Sequence, residues 1–406
     1  MADRRVVITG IGTIASIGST RKTVWEGLVA GRSGVRPVTL FDATAYRSRL
    51  AAEIPDLDAA GCFTALERRR LSRCDRAAIV AASEALDDAG LTAADRDPQR
   101  TGVMLGSGTA DLLRNEEYLA DLRAHGFRGA RPSAIFNHFP STPVDAIGER
   151  FGVRGPRACV VAACSSSTIA IGYAADAIHR NEIDVALAGG ADVLCRLTFS
   201  GFNALRLVDV EPCRPFDSER AGMNIGEAAA VLVLEDLDRA RHRGASIYAE
   251  VLGYSATCEA YHATSPEPDG RTVGTTIRNA LDAARLNPDD VDHVNAHGTG
   301  TVHNDLAEAR AFAAVFGERS RRLPVTSIKG AVGHCLGAAG AIEAAALALS
   351  LAHGVIPPTL RHTATDPGCD IDVVGNEARE CTMRYGVSTS LAFGGNDSAL
   401  VMGRFG

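Results

Sequence analysis

No two of the ten cysteines in this 406-residue chain stand as Cys-x-x-Cys. That removes a common zinc pattern, and a chain of this length needs no disulfide staples. Reduced thiols in a cytoplasmic protein are the expectation, most of them packed as small hydrophobes. An apolar signal core with a cleavage site is missing behind Met1-Ala2-Asp3-Arg4-Arg5, so no secretory leader is expected. No run reaches the ~18 uninterrupted apolar residues of a membrane span. The greasiest helix, Ala338 to Ala352, is interrupted by Glu343 and reads as too short. Positive charge is not in excess either. The net charge of -7 argues against general nucleic-acid binding. No long low-complexity linker appears, so any domains are tightly fused.

What is present is ordinary for a globular enzyme, with 46% hydrophobic and 22% charged residues and enough length for a large core. Strands and helices alternate along the chain, which predicts an α/β architecture. Val6 to Thr9, Val103 to Leu105 and Val185 to Ala188 read as strands. Arg76 to Ala89 and Ser166 to His179 read as helices. Val231 to Leu234 and Tyr248 to Tyr254 read as strands paired with each other. A faint repeat is visible: Glu84-Ala85-Leu86-Asp87-Asp88-Ala89-Gly90-Leu91 resembles Asn279-Ala280-Leu281-Asp282-Ala283-Ala284-Arg285-Leu286. Each is followed by a short strand, a glycine-rich turn, another strand and a small-residue helix. The order predicts a duplicated fold with an active site between the copies.

Cys164 carries most of the chemical information. It closes the apolar run Val160-Val161-Ala162-Ala163 and precedes the helical pattern of Ser165-Ser166-Ser167-Thr168. A side chain at a helix N-terminus meets unpaired N–H groups and the positive end of the macrodipole. The thiol is therefore expected to have a lowered pKa and to react as thiolate. His297 and His334 lie far downstream, and a cysteine with separated histidines outlines thiol nucleophile chemistry.

The segment His297-Gly298-Thr299-Gly300-Thr301 lets the backbone pass close to a ligand and offers two uncharged hydroxyls for an amide-bearing arm. Lys329, Gly333 and His334 share another glycine-rich stretch just before a helix start, a setting that keeps an imidazole neutral and able to donate. Phe393-Gly394-Gly395-Asn396 reads as a hairpin or a movable gate. Gly10-Ile11-Gly12 imitates a dinucleotide fingerprint but lacks the helix that should follow directly, and reads as a tight structural turn. His293 and His297 have zinc-like spacing without the glutamate of hydrolytic zinc helices, and no metal is expected there. Glu67-Arg68-Arg69-Arg70-Leu71 forms a basic patch on an acidic chain, either a solvated helix face or a landing site for an acidic carrier.

Together these segments resemble the elongating β-ketoacyl-acyl-carrier-protein synthases of the thiolase superfamily. The resemblance runs from Val6 to Val401. It is carried by Ala163-Cys164-Ser165-Ser166-Ser167, by Arg214-Pro215-Phe216-Asp217 with Gly222 and Gly226-Glu227, and by Ala260-Tyr261-His262-Ala263-Thr264-Ser265-Pro266. It continues through His297 to Thr301 with Asp305 and Glu308, Lys329 with Gly333-His334, and Phe393-Gly394-Gly395. It implies a thiolase-like fold of layered α-β-α-β-α type, with one half at 1–245 carrying the nucleophile and the other at 246–406 carrying both histidines.

The resemblance also implies roles. Cys164 would accept an acyl group from the phosphopantetheine thiol of an acyl carrier protein. The N–H groups of Cys164 and Phe393 would form an oxyanion hole. His297 and His334 would bind the malonyl thioester oxygen during decarboxylation. Lys329 would support the site electrostatically, paired with Glu308, and Asp305 would belong to the supporting set. Thr299 and Thr301 would contact the pantetheine arm. Phe393 would gate the acyl tunnel and Thr109 would line it. Arg68, Arg69 and Arg70 would receive the carrier. Neutral imidazoles suffice for such an enolate, so no cofactor beyond the carrier's pantetheine and no metal is expected. The partner would be an identical subunit or a chain-length subunit.

The acyl chain extended would be a fatty-acid or a polyketide or polyene chain, and departures from the family pattern fit a specialised relative of the latter kind. The family's Gly-Phe-Gly-Gly-Thr-Asn appears as Ala392-Phe393-Gly394-Gly395-Asn396-Asp397 after Leu391, Thr-Gly-His as Val332-Gly333-His334, and Thr-Ala-Cys as Ala162-Ala163-Cys164. A coenzyme-A thiolase would need a second catalytic cysteine where Phe393 stands. A non-catalytic chain-length partner would lack Cys164, and a starter-type synthase would carry asparagine at 334.

Overall fold

Small residues decide where this chain presses its elements together. In the computed structural model, which describes residues 4–57, 61–130 and 138–406, the strand β1 (Val6–Ala15) is buried along its whole length. The opening Met1-Ala2-Asp3 lies outside the described residues. Gly10 and Gly12 sit inside β1 rather than in a turn. A Cβ on Gly12 would stand 1.9 Å from the carbonyl oxygen of Ala81, so the helix α1 (Arg73–Asp88) can lie directly on the strand. The fingerprint-like glycines therefore serve helix–strand packing.

The remaining strands of the main sheet are β2 (Thr101–Gly106), β3 (Arg157–Val160), β4 (Val185–Asp192) and β5 (Ala228–Asp236) in the first half of the chain. The second half supplies β6 (Ala249–Cys258), β7 (His293–Asn295), β8 (Pro324–Thr326), β9 (Asp372–Val373), β10 (Tyr385–Ser390) and β11 (Asn396–Arg404). Across the sheet they run β9-β8-β7-β10-β11-β6-β1-β5-β4-β2-β3. Read outward from the β6–β1 seam, one side is 1-5-4-2-3 and the other 6-11-10-7-8. The same connectivity occurs twice, with β9 added outside, which is the duplication expected from the repeat. The two strands expected to pair with each other, β5 and β6, do not. Both pair with β1, which lies between them. Proximity in sequence suggested a hairpin, and the first strand of the chain takes that place instead.

Helix α1 covers the outer face of the first half. Helices α3 (Arg271–Ala284) and α4 (Val302–Phe316) cover that of the second. Between the halves run α2 (Ser166–His179) and α5 (Ala339–His353), touching strands of both. Their sequences explain the position. Small and apolar residues bury most of α2, leaving Tyr173, Asp176 and His179 toward solvent, and α5 is buried from Ala339 through Leu351; helices so largely apolar belong inside. Gly340 brings them into contact, since a Cβ there would lie 2.0 Å from Thr168 Oγ1.

The stretch Leu336–His353, of mean hydropathy 1.4, is long and apolar enough to cross a bilayer, contrary to the expectation from sequence, because the turn before α5 extends it and one glutamate is not enough to interrupt it. It lies in the central layer with 89% of its residues buried by the protein itself.

Candidate active site

Two tight turns converge beside the central helices. The first follows β3. Ala163 takes a left-handed φ of +48° and Cys164 follows it, just ahead of α2. Hydroxyl groups brace this elbow. Ser166 Oγ donates to Ala163 O at 2.6 Å and accepts from Ala162 N–H at 2.8 Å. Ser165 Oγ lies 3.0 Å from Ser390 O and 2.5 Å from Asn396 O. The elbow that carries Cys164 in the first half is thereby tied to the second half.

Cys164 is 8% exposed. Burial pushes its thiol up to about 12, while the Lys329 ammonium and an N–H donated by Phe393 pull the other way. This reverses the expectation of a lowered pKa. The helix terminus is present, but loss of water around the sulfur outweighs it, so at neutral pH the resting group is a thiol.

His297 follows the end of β7, and His334 follows the short helical segment Lys329–Val332. Their rings meet edge to face with centroids 5.2 Å apart. Sγ of Cys164 and one ring nitrogen of each histidine all lie within 4.8 Å of one another. The three side chains singled out in the sequence thus form one cluster. Burial, with Lys329 as a second cause, holds both imidazoles well below their usual pKa and therefore neutral. Their tautomers follow from their partners. Leu336 N–H donates to His334 Nδ1 at 3.1 Å, and Lys329 Nζ stands 3.2 Å from His297 Nδ1. Each Nδ1 accepts, so each proton sits on Nε2, facing the site as a donor. The same ammonium opposes a cation among these three groups.

Lys329 corrects another expectation. Its Nζ pairs with Glu343 on α5 and also donates to His297 O; it does not pair with Glu308. Glu308 is instead encircled by donors: His297 N at 2.8 Å, Gly298 N at 2.6 Å, Thr389 Oγ1 at 2.8 Å and Asn304 Nδ2 at 3.1 Å. Burial pushes its carboxyl up to about 7. Glu308 holds the histidine loop, while Glu343 balances the lysine. Asp305 extends the clamp, accepting from Phe216 N at 2.7 Å and Gly300 N at 3.2 Å beside Arg220. The signal for Glu343 was present as a lone acid in an apolar helix, which implies a buried counter-charge.

A cavity of about 430 Å³ reaches this cluster. Cys164, His297 and His334 line it together with Thr299, Thr301 and Phe393. The hydroxyls of Thr299 and Thr301 are 2.8 Å apart. Phe393 stacks on Phe202, with centroids 5.3 Å apart and planes 26° from parallel. Phe202, on the helix Arg196–Ala204, was not foreseen, since its partner is set only by tertiary structure. Ala392 is extended, at φ -134°, and any residue fits there; the adjoining bend falls on Gly394 at φ +81°. Leu391 also lines the cavity.

Thr109 does not line this cavity. Its N–H donates to Asp192 Oδ1 at 3.0 Å and its hydroxyl lies 3.4 Å from the same oxygen, so the tunnel role expected of it is not seen here. Arg68, Arg69 and Arg70 lie exposed on the short helix Ala65–Arg70. Arg70 pairs with Glu149. Arg68 and Arg69 border a separate groove of about 390 Å³ with Arg73, Arg76 and Arg114.

Comparison with known proteins agrees with this geometry. Residues 3–240 match the family described as beta-ketoacyl synthase, N-terminal domain, and residues 248–363 its C-terminal domain. The chain is 38% identical over 409 aligned residues to 3-oxoacyl-[acyl-carrier-protein] synthase 2 of Staphylococcus aureus, covering 99% of each. It is 40% identical to the tetracenomycin polyketide synthase ketoacyl synthase alpha subunit of Streptomyces glaucescens, covering 99% of this chain and 98% of that one. Among solved structures, the ishigamide ketosynthase/chain length factor superposes with a TM-score of 0.95 at 37% identity, covering all of both chains.

Proposed function

The chain belongs to the β-ketoacyl synthase family, and from that premise we propose that Cys164, His297 and His334 carry out a decarboxylative condensation on carrier-bound acyl chains. The carrying observation is the meeting of one sulfur and two imidazole nitrogens within 4.8 Å at a cavity. In the first transfer the Cys164 sulfur attacks the acyl thioester, and the carrier thiol leaves with the proton that the cysteine gives up. The oxyanion is held by the N–H groups of Cys164 and Phe393. In the second, the carboxylate of a malonyl thioester leaves as carbon dioxide. Its bonding electrons pass to an enolate, whose oxygen receives hydrogen bonds from the Nε2–H groups of His297 and His334. The enolate carbon attacks the acyl carbonyl, the thioester collapses, and the released Cys164 thiolate takes up a proton.

Splitting one carbon–carbon bond formation into two transfers lowers each barrier. Loss of carbon dioxide supplies the carbanion, so this reading needs no strong base, metal or resident cofactor. Lys329 holds His297 in the donating tautomer. Thr299 and Thr301 face the pantetheine arm, Phe393 gates the acyl chain against Phe202, and Glu308 and Asp305 keep the loop in shape. An acyl carrier protein delivers both substrates, with Arg68, Arg69 and Arg70 as its landing site. The division into halves at 245/246 and a cytoplasmic setting belong to the same reading.

The likeness to an alpha subunit and to a ketosynthase/chain-length-factor structure favours a polyketide or polyene pathway, with a chain-length subunit as partner in place of a second copy. The outer edge of β3, with Val161 exposed beyond it, supports a paired partner. Incubation with an acylated carrier protein tests the core assignment. Intact-mass and peptide analysis should find the acyl adduct on Cys164, and Cys164→Ala should lose both adduct and product. An adduct on another cysteine refutes it.

A further inference from the structure

The duplication creates a second centre, and the chain has filled it with its own anion. The reacting cluster combines three topological places: the elbow after β3 at Cys164, the loop after β7 at His297, and the segment after β10 at Phe393. Exchanging the halves gives the elbow after β8, the loop after β2, and the end of β4. All three places exist and they touch. Leu336 has φ +53°, matching Ala163 at +48°, so Gly337 corresponds to Cys164; each stands two residues ahead of its central helix.

Asp192, the last residue of β4, is fully buried there. Its Oδ2 accepts from Gly337 N and Gly108 N, both at 2.6 Å. Its Oδ1 accepts from Ala110 N at 2.7 Å, Thr109 N at 3.0 Å and Ser107 Oγ at 3.0 Å. Gly337 N–H is the counterpart of Cys164 N–H, one of the two groups assigned to the oxyanion hole. The carboxylate therefore sits where the duplicated centre would hold a substrate oxyanion. Five donors within 3.0 Å, with the Thr109 hydroxyl at 3.4 Å, favour the ionised form against the burial that raises this carboxyl.

The consequence reaches the working site through one residue. The elbow that Asp192 holds at Gly337 also presents Leu336 N–H to His334 Nδ1. We propose that Asp192 is a positioning residue for the condensation: its carboxylate occupies the centre related by duplication to the reacting one, anchors the Gly337 elbow, and so keeps His334 aimed with its proton on Nε2. Asp192 touches no reacting atom. Replacing one oxygen by an amide turns a donor toward N–H groups that need an acceptor, and the elbow shifts. The inference rests on the condensation reading; if wild-type enzyme forms no acyl adduct on Cys164, that reading has failed and not the role of Asp192.

The test uses full-length Asp192→Asn with acyl-carrier and malonyl-carrier substrates in separate half-reactions. Acylation of Cys164 should stay within about twofold, while kcat for malonyl decarboxylation falls on the order of tenfold to a hundredfold, as a small misplacement of a reacting group allows. KM should change little. Imidazole 15N shifts should show His334 losing its single Nε2–H tautomer. Equal loss in both half-reactions, or unchanged decarboxylation with an unchanged tautomer, overturns the proposal. Should Asp192→Asn not fold, Ser107→Ala keeps the carboxylate and removes one donor. It should give the same split at smaller size, and an absence of any split also overturns the proposal.

Discussion

His334 is neutral because burial opposes its charged form, with Lys329 adding to the effect. In the unfolded chain the same imidazole titrates near its ordinary value of 6.5. A depressed folded pKa means that the unfolded state alone takes up the proton below that value. The stability tied to this residue is therefore present above pH 6.5 and lost as pH falls. Between pH 7.5 and 5.5 the wild-type chain should lose about 1.4 kcal/mol that His334→Asn does not lose. Urea unfolding of both proteins at the two pH values checks this, and equal losses would show that His334 protonates in the folded state. At this scale the sequence was legible for identity and not for environment. Cys164, His297 and His334 stood out by their glycine and small-residue surroundings. The direction of the Cys164 shift did not, because burial belongs to the fold while helix position can be read from neighbours.

Helix α5 shows what an element contributes beyond its residues. Its one acid, Glu343, meets Lys329 from a different segment, and both are almost fully buried. Glu343→Ala leaves an ammonium without its partner in the core, at a cost of about 3–5 kcal/mol. The double variant Lys329→Met/Glu343→Leu should recover most of that stability while remaining inactive in condensation; chemical denaturation of the single and double variants separates the two effects. In β1, Gly12→Ala places a methyl group against the α1 backbone and should cost about 3 kcal/mol by overpacking. A melting temperature equal to the wild type would contradict that contact. Elements of small residues were legible as helices and strands. Their partners were not: the family resemblance implies Glu308 as the acid beside Lys329, and nothing local in the sequence shows that Glu343 on α5 takes that place. The pairing of β5 with β6 failed for a similar reason, because nothing local in either strand announces that β1 lies between them.

Over the whole molecule, charge is distributed against the net sign. The chain carries -7 overall, yet Arg68, Arg69, Arg76 and Arg114 line one groove beside Asp111, Glu117 and Asp121, with Arg73 there paired to Glu227 and Leu66 exposed on the same short helix as the first two. An acidic carrier would be drawn there by a field that salt screens. Arg68→Glu/Arg69→Glu should raise KM for carrier-bound substrates several-fold at low salt and less at high salt, with kcat little changed. A salt-independent KM, equal to the wild type, would remove the docking role. Arg70 is the weaker target, since it already pairs with Glu149. The duplicated architecture was legible from the order of glycine turns and small-residue helices, while the mutual placement of the copies required the strand order.

That strand order also governs how the polypeptide can be assembled as it is made. Val6 faces Asp236 on one side and Val251 on the other. Strand β1 thus finds neither neighbour until the chain has been made through the strands at Ala228–Asp236 and Ala249–Cys258, more than 200 residues later. Until then a largely apolar ribbon with two bare edges is exposed to like ribbons on other nascent chains. Strand order thus makes early exposure of β1 edges a hazard during synthesis that the stability of the finished molecule does not remove.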